Sequence, residues 1–185
     1  MILLWGVVLG VAVGFIRGGT VANLEKLSLR FLWLVPISLV IQLLIFPLFS
    51  QEPVIAFGTE FFHIFSYAIL AIFVLINLRI WGIPLMGAGM GLNLLVITLN
   101  GGFMPASVDS LIKAGEYRVA SNLIHKGTYG NVINMNDSTV LNSFGDWLYL
   151  PREIPLSTAF SLGDLLILIG LVFFFGMGMV KKEPT

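Results

Sequence analysis

The stretch Phe57-Gly-Thr-Glu-Phe-Phe-His-Ile-Phe-Ser-Tyr-Ala-Ile-Leu-Ala-Ile-Phe-Val-Leu-Ile-Asn-Leu78 decides the fold class. Its one charged residue, Glu60, sits near its start, and an α-helix needs about 20 apolar residues to cross a bilayer. Four further runs read the same way: Ile2–Ile16, Phe31–Phe49, Ile83–Leu99 and Phe160–Val180. The whole chain is 57% hydrophobic and 11% charged, against about 25% charged residues in soluble domains. These features predict an all-α integral membrane protein, one membrane domain over residues 1–185, with five transmembrane helices.

Composition also excludes chemistries. A net charge of zero gives no footprint for nucleic acid. The absence of cysteine removes disulfides, thiol nucleophiles and thiolate metal sites, and two histidines, His63 and His125, leave little for a metal centre. No cofactor is expected. The first run starts at Met1 with no base before it and Arg17 after it, the reverse of a signal peptide. That run is short for a span and relies on Arg17 snorkelling to the interface.

Charge placement predicts orientation. Arg17, Lys26 and Arg30 lie between the first two runs, Arg79 between the third and fourth, and Lys181 and Lys182 after the fifth. The connection between the second and third runs carries Glu52 and Glu60 and no base. Lys and Arg near span ends mark the cytoplasmic face, so the expectation is a multi-pass protein of a bacterial cytoplasmic membrane, N-terminus outside and C-terminus inside. Between Gly18 and Arg30, leucines alternate with polar residues, as in a surface-lying helical turn or a solvated connector.

The long segment 100–159 then falls outside. It holds Phe103, Tyr117, Leu123, Ile133, Phe144 and Trp147, too many apolar residues for a disordered loop, and is expected to form a small ordered extracytoplasmic cap. Ser107 is a helix N-cap for a segment through Lys113 ended by Gly115. Tyr129–Met135 reads as a strand, Gly145-Asp146 as a turn, and Asn136-Asp137-Ser138-Thr139 as an Asx-type turn or a glycosylation acceptor.

Gly6, Gly10 and Gly14 recur every four residues, and Gly87 and Gly91 repeat the spacing. Such stripes let helices approach closely. They serve packing within one chain, or a seam to a homodimer or partner membrane subunit.

Polar side chains inside a bilayer are costly and need a partner or a task. By the predicted topology Gln42, His63, Asn100 and Asp164 share the outer leaflet. Asp164 stands in the first turn of the last helix, where the backbone dipole favours an acid. It reads as a capping acid, or as one of a pair with Asp146, in which two carboxylates split their proton affinities and serve as acid and base. Asn100-Gly101-Gly102 ends the fourth run, either as a plain helix terminator or as a turn whose amides meet an anion or carbonyl. His63 reads as an interhelical hydrogen-bonding residue or a catalyst.

Taken together, Asn100-Gly101-Gly102-x-Met104-Pro105-x-Ser107, Asp137-Ser138-Thr139, Gly145-Asp146, Leu150-Pro151 and Phe160-Ser161-x-Gly163-Asp164-x-Leu166-Ile167 resemble a family of bacterial membrane proteins known as domain of unknown function 5317. The resemblance extends over essentially the whole chain and implies topology and a bacterial source, with no activity attached. More narrowly, Phe160-Ser161-Leu162-Gly163-Asp164 is similar to the Phe-Asn-x-Ala-Asp motif of lipoprotein signal peptidases, where the aspartate is half of a catalytic pair. Those enzymes have four spans, and their second aspartate is followed by arginine, whereas Asp146 is followed by Trp147.

The expected function is that of an accessory or binding protein, embedded in the lipid bilayer, with a polar site at the outer leaflet. That site is formed by Gln42, His63, Asn100, Gly101 and Gly102 and holds a lipid, peptide or partner subunit. One alternative is an aspartic membrane peptidase using Asp146 and Asp164. Another is a small transporter, which would want charge pairs deep in several spans where Gln42, Asn77 and Asn93 stand instead.

Overall fold

The computed structural model describes residues 2–45 and 57–180. All five apolar runs contain a helix: α1 (Leu3–Ile16), α2 (Leu34–Ile45), α3 (Thr59–Ile76), α4 (Ile83–Leu99) and α7 (Leu162–Gly178). The molecule is mostly helical. One helix, α3, is long and apolar enough to cross a membrane, and the other four are apolar but run 12 to 17 residues. The connection with Glu52, expected to lie outside the membrane, the end of the Phe31–Phe49 run, and Lys181 and Lys182 lie beyond the described residues.

Helix α7 is the centre of the bundle, with α1 parallel to it on one side and α4 antiparallel on the other. Glycines set both contacts. Gly6, Gly10 and Gly14 of α1 face Leu168, Leu171 and Met179 of α7, and a Cβ on Gly10 would stand 2.9 Å from the Leu171 carbonyl. That stripe is covered within the chain. On α4 the close approach falls at Gly82 and Gly89, which abut Gly170 and Gly163 of α7 backbone to backbone. The spacing of Gly87 and Gly91 pointed to a different face. Gly87 meets the Val74 side chain of α3, and Gly91 has no atom within 4 Å of a Cβ built there. Helices α2 and α3 form the other flank and join through α3 to α4.

At the end away from the cap, the chain after α1 makes a short 3-10 helix, Val21–Lys26, whose Leu24 and the following Leu27 pack on Gly178. Thr20 N–H and Asn23 Nδ2 both donate to the Met179 carbonyl, closing the end of α7. Asn77, buried at the end of α3, grips the Arg30 backbone with both ends of its amide (2.9 Å each).

The segment 100–159 folds onto the opposite end of the helices. The cap, in which one strand was expected, contains two small sheets, so the all-α class is corrected to mostly helical. Strand β1 (Met104–Ala106) pairs parallel with β3 (Val132–Asn134), which pairs antiparallel with β2 (Thr128–Tyr129). Strand β4 (Leu148–Tyr149) pairs with β5 (Ala159–Phe160), which runs straight into α7. The single strand expected over Tyr129–Met135 is a hairpin, since Gly130 takes a positive φ of 57° and turns the chain between Tyr129 and Val132. Two short helices, α5 (Val108–Lys113) and α6 (Tyr117–Lys126), complete the cap. Ser107 caps α5 by accepting from Ser110 N–H (3.3 Å), and Gly115 at φ 81° ends it. The Asn136 side chain accepts from Ser138 N–H (2.8 Å), making the expected Asx turn.

The cap has its own core of Ala106, Leu111, Ala120 and Leu123. It is seated on the helices through Met104, which is buried against Val96 and Ile97 of α4. Trp5 Nε1 of α1 donates to the Pro155 carbonyl from the other side (3.0 Å).

Candidate functional site

Polar side chains from four helices gather beneath the cap. On α2, Ser38 Oγ donates to the Ser66 carbonyl (2.9 Å) and Gln42 Nε2 to Ser66 Oγ (3.1 Å). Ser66 Oγ donates back to the His63 carbonyl (2.7 Å). His63 Nδ1 lies 3.1 Å from the Gly102 carbonyl. A carbonyl only accepts, so this nitrogen carries the proton. Gln42, His63 and Gly102 therefore belong to one relay from α2 through α3 to the first turn of the cap. Gly102, at φ 90°, lets that turn press on Glu60, where a Cβ would come within 3.0 Å of the Glu60 side chain.

Asn100 has a separate task. Its side chain donates to Val96 O and Val140 O and accepts from Val140 N–H at 2.8 Å, lashing a distant cap loop to the end of α4. Gly101, at φ 65°, faces open space.

Asp164 is part of a capping box. Ser161 Oγ accepts from Asp164 N–H (2.9 Å), while Asp164 Oδ2 accepts from Ser161 N–H (3.3 Å). Its other oxygen, Oδ1, accepts from Asn93 Nδ2 of α4 (2.8 Å), and Asn93 Oδ1 accepts from Ser161 Oγ (2.8 Å). Both carboxylate oxygens of Asp164 are thus engaged in joining α7 to α4.

Asp146 differs. Its backbone bridges to Ala106, with Asp146 N–H donating to Pro105 O (2.8 Å) and Asp146 O accepting from Ser107 N–H (3.0 Å). The expected turn is present as Trp147 N–H donating to Gly145 O, but the cap sheet edge holds the residue in place. Among the described residues, Asp146 Oδ1 is the buried side-chain oxygen or nitrogen without a hydrogen-bond partner. Burial first, then the charges of Asp164 and Glu116, push its carboxyl well above the ordinary carboxylate range.

Tyr67 of α3 links the two groups. Its ring meets the His63 ring edge-on, centroids 5.4 Å apart, and it lies in the field of both Asp146 and Asp164. Sequence reasoning passed over Tyr67, Ser66 and Glu116. A signal existed for two of them: Ser38 and Gln42 on α2, and His63, Ser66 and Tyr67 on α3, recur at three to four residues and mark polar stripes on facing helices. Glu116 had none; it accepts from Thr158 Oγ1 and Ala159 N–H, pinning β5 to α6.

Chemically, the arrangement offers one carboxyl that favours its proton, one locked carboxylate, a phenol and an imidazole at the junction of cap and bundle. Among the described residues no cluster of three His, Cys, Asp or Glu side chains is placed to hold a metal ion.

No curated protein and no solved structure matches the chain, and these comparisons lend no support to the likeness with lipoprotein signal peptidases. A sequence model described as "Family of unknown function (DUF5317)" does match, over residues 26–176, and the chain belongs to that family.

Proposed function

We propose that the protein is a five-span membrane protein, N-terminus outside, whose extracytoplasmic cap and helix ends bind a ligand carrying a hydrogen-bond donor. The observation that carries the binding reading is Asp146 Oδ1, the buried side-chain acceptor without a hydrogen-bond partner among the described residues. A buried group in that condition costs about 1–3 kcal/mol, which an arriving donor would recover.

The membrane reading draws support from the surface. The apolar window of α3 is 22% buried within the molecule. Leu4, Val8, Phe15, Val40, Phe61 and Leu75 expose 43–66% of their area on α1, α2 and α3, more apolar surface than a water-soluble bundle leaves open. Arg17, Lys26, Arg30 and Arg79 belong to the connections at the end away from the cap, as the cytoplasmic side requires.

Two experiments test this. Because the chain has no cysteine, single cysteines report topology directly. Ser138→Cys is expected to react with an impermeant maleimide on intact cells and Ser28→Cys only after permeabilisation; the reverse pattern overturns the orientation. For binding, wild type and Asp146→Leu are purified in mild detergent and co-purifying molecules identified by mass spectrometry. A species lost in a folded Asp146→Leu protein supports the reading, and identical profiles end it.

The peptidase alternative gains from the shared field of Asp146 and Asp164. It requires Asp164→Asn to abolish function at unchanged protein level. The capping box favours the opposite result, a fall in protein level.

A further inference from the structure

At the end of the bundle away from the cap, a cleft of about 470 Å³ opens between the 3-10 turn after α1, the α3–α4 connection and the end of α7. Lys26 and Arg79 line it, with Trp81 at its edge and Phe174 and Met177 among its apolar walls. The two ion pairs among the described residues are Lys113–Asp109 and Arg152–Glu153, both in the cap. Among the described residues neither Lys26 nor Arg79 has a carboxylate partner, and Glu25, the acid beside Lys26, does not line the cleft.

One of the two cations is held in place. Lys26 Nζ donates to Asn23 Oδ1 (3.0 Å), and Asn23 is itself anchored to the Met179 carbonyl (2.8 Å). Trp81 is 57% exposed, the placement of an indole that sits at headgroup level with its ring toward hydrocarbon. Two cations with no carboxylate partner among the described residues, beside apolar side chains, match a molecule with a phosphate at one end and hydrocarbon at the other.

We propose that this cleft binds an anionic phospholipid of the inner leaflet, its phosphate between Lys26 and Arg79 and its acyl chains against Trp81 and Phe174. The proposal rests on the five-span reading for the leaflet, and it concerns the end of the molecule opposite Asp146. Charge selects the headgroup, since a zwitterionic lipid brings a cation toward the same two side chains. The apolar walls distinguish the lipid from free phosphate.

The test is native mass spectrometry of the full chain in mild detergent. Phosphatidylglycerol is titrated against phosphatidylcholine with the same acyl chains. Wild type is expected to retain phosphatidylglycerol preferentially, and Lys26→Gln with Arg79→Gln to weaken that retention about twenty-five-fold, at roughly fivefold for each basic residue. Lys113→Gln, on the exposed cap, should leave it unchanged. Equal retention by the double variant overturns the proposal, as does complete displacement by millimolar inorganic phosphate, which would mark a free-phosphate site. The detergent measurement is independent of orientation, so it stays readable if cysteine labelling at Ser28 contradicts the topology.

Discussion

Asn93 Nδ2 donates to Asp164 Oδ1 at 2.8 Å, so the acid that caps the last helix is held by the middle of the fourth. Asn93 Oδ1 meanwhile accepts from Ser161, the N-cap residue. The carboxamide therefore reads both halves of the capping box and fixes the depth of α7 against α4.

This relationship predicts coupling. Asn93→Ala and Asp164→Asn should each lower thermal stability, and their double-mutant cycle should give an interaction of about 1–2 kcal/mol. Tryptophan fluorescence during thermal unfolding in detergent measures it. Strict additivity would show that the two side chains act separately.

Glycine packing gives a second contrast. A Cβ on Gly163 would overlap the Asn93 side chain, and one on Gly89 would overlap the Gly163 carbonyl. Gly163→Ala and Gly89→Ala are expected to cost about 1–3 kcal/mol through overpacking. Gly91→Ala, with no atom within 4 Å, should fall within about 0.5 kcal/mol of wild type. Equal melting temperatures for all three would refute the assigned seam.

Asp146 makes stability pH-dependent in a defined direction. Burial, with the charges of Asp164 and Glu116, raises its proton affinity in the folded state. Between the unfolded value of about 3.9 and the raised folded one, the folded state holds more protons, so stability falls as pH rises through that window. Asp146→Asn, which removes the charge, should melt about 3 °C above wild type at pH 8, with the gap closing toward pH 4. A constant offset at every pH would remove Asp146 from the account.

Asn77 is a third structural polar residue. Its amide serves the Arg30 backbone in both directions and also donates to Phe73 O (2.8 Å). Asn77→Ala strands that backbone and should cost about 2 kcal/mol or more. Asn122→Ala, which loses one exposed bond to Arg118 O, is the control expected to stay near zero. Comparable losses in the two would sink the assignment.

Much of this was readable from residue order. The five apolar runs place the five apolar helices α1, α2, α3, α4 and α7, because helical segments of this composition are marked by runs empty of charge. Ser107 and Ser161 begin helices by a local bond to the amide three residues on, and the Asx turn at Asn136 is equally local. Family membership also follows from residue order, since the match over residues 26–176 is to a pattern along the chain.

Contact between distant segments settled the rest. Helix α4 is apolar nearly all round, and such a helix does not declare which face is buried. Hence the spacing of Gly87 and Gly91 was legible but not which helix each meets: Gly87 packs on Val74 of α3, Gly91 faces open space, and the close approach to α7 falls at Gly82 and Gly89, which the spacing did not mark. The same reason governs the acids. Nothing beside Asp164 in the chain announces Asn93, 71 positions away, and nothing beside Asp146 announces that one of its oxygens is left without a partner.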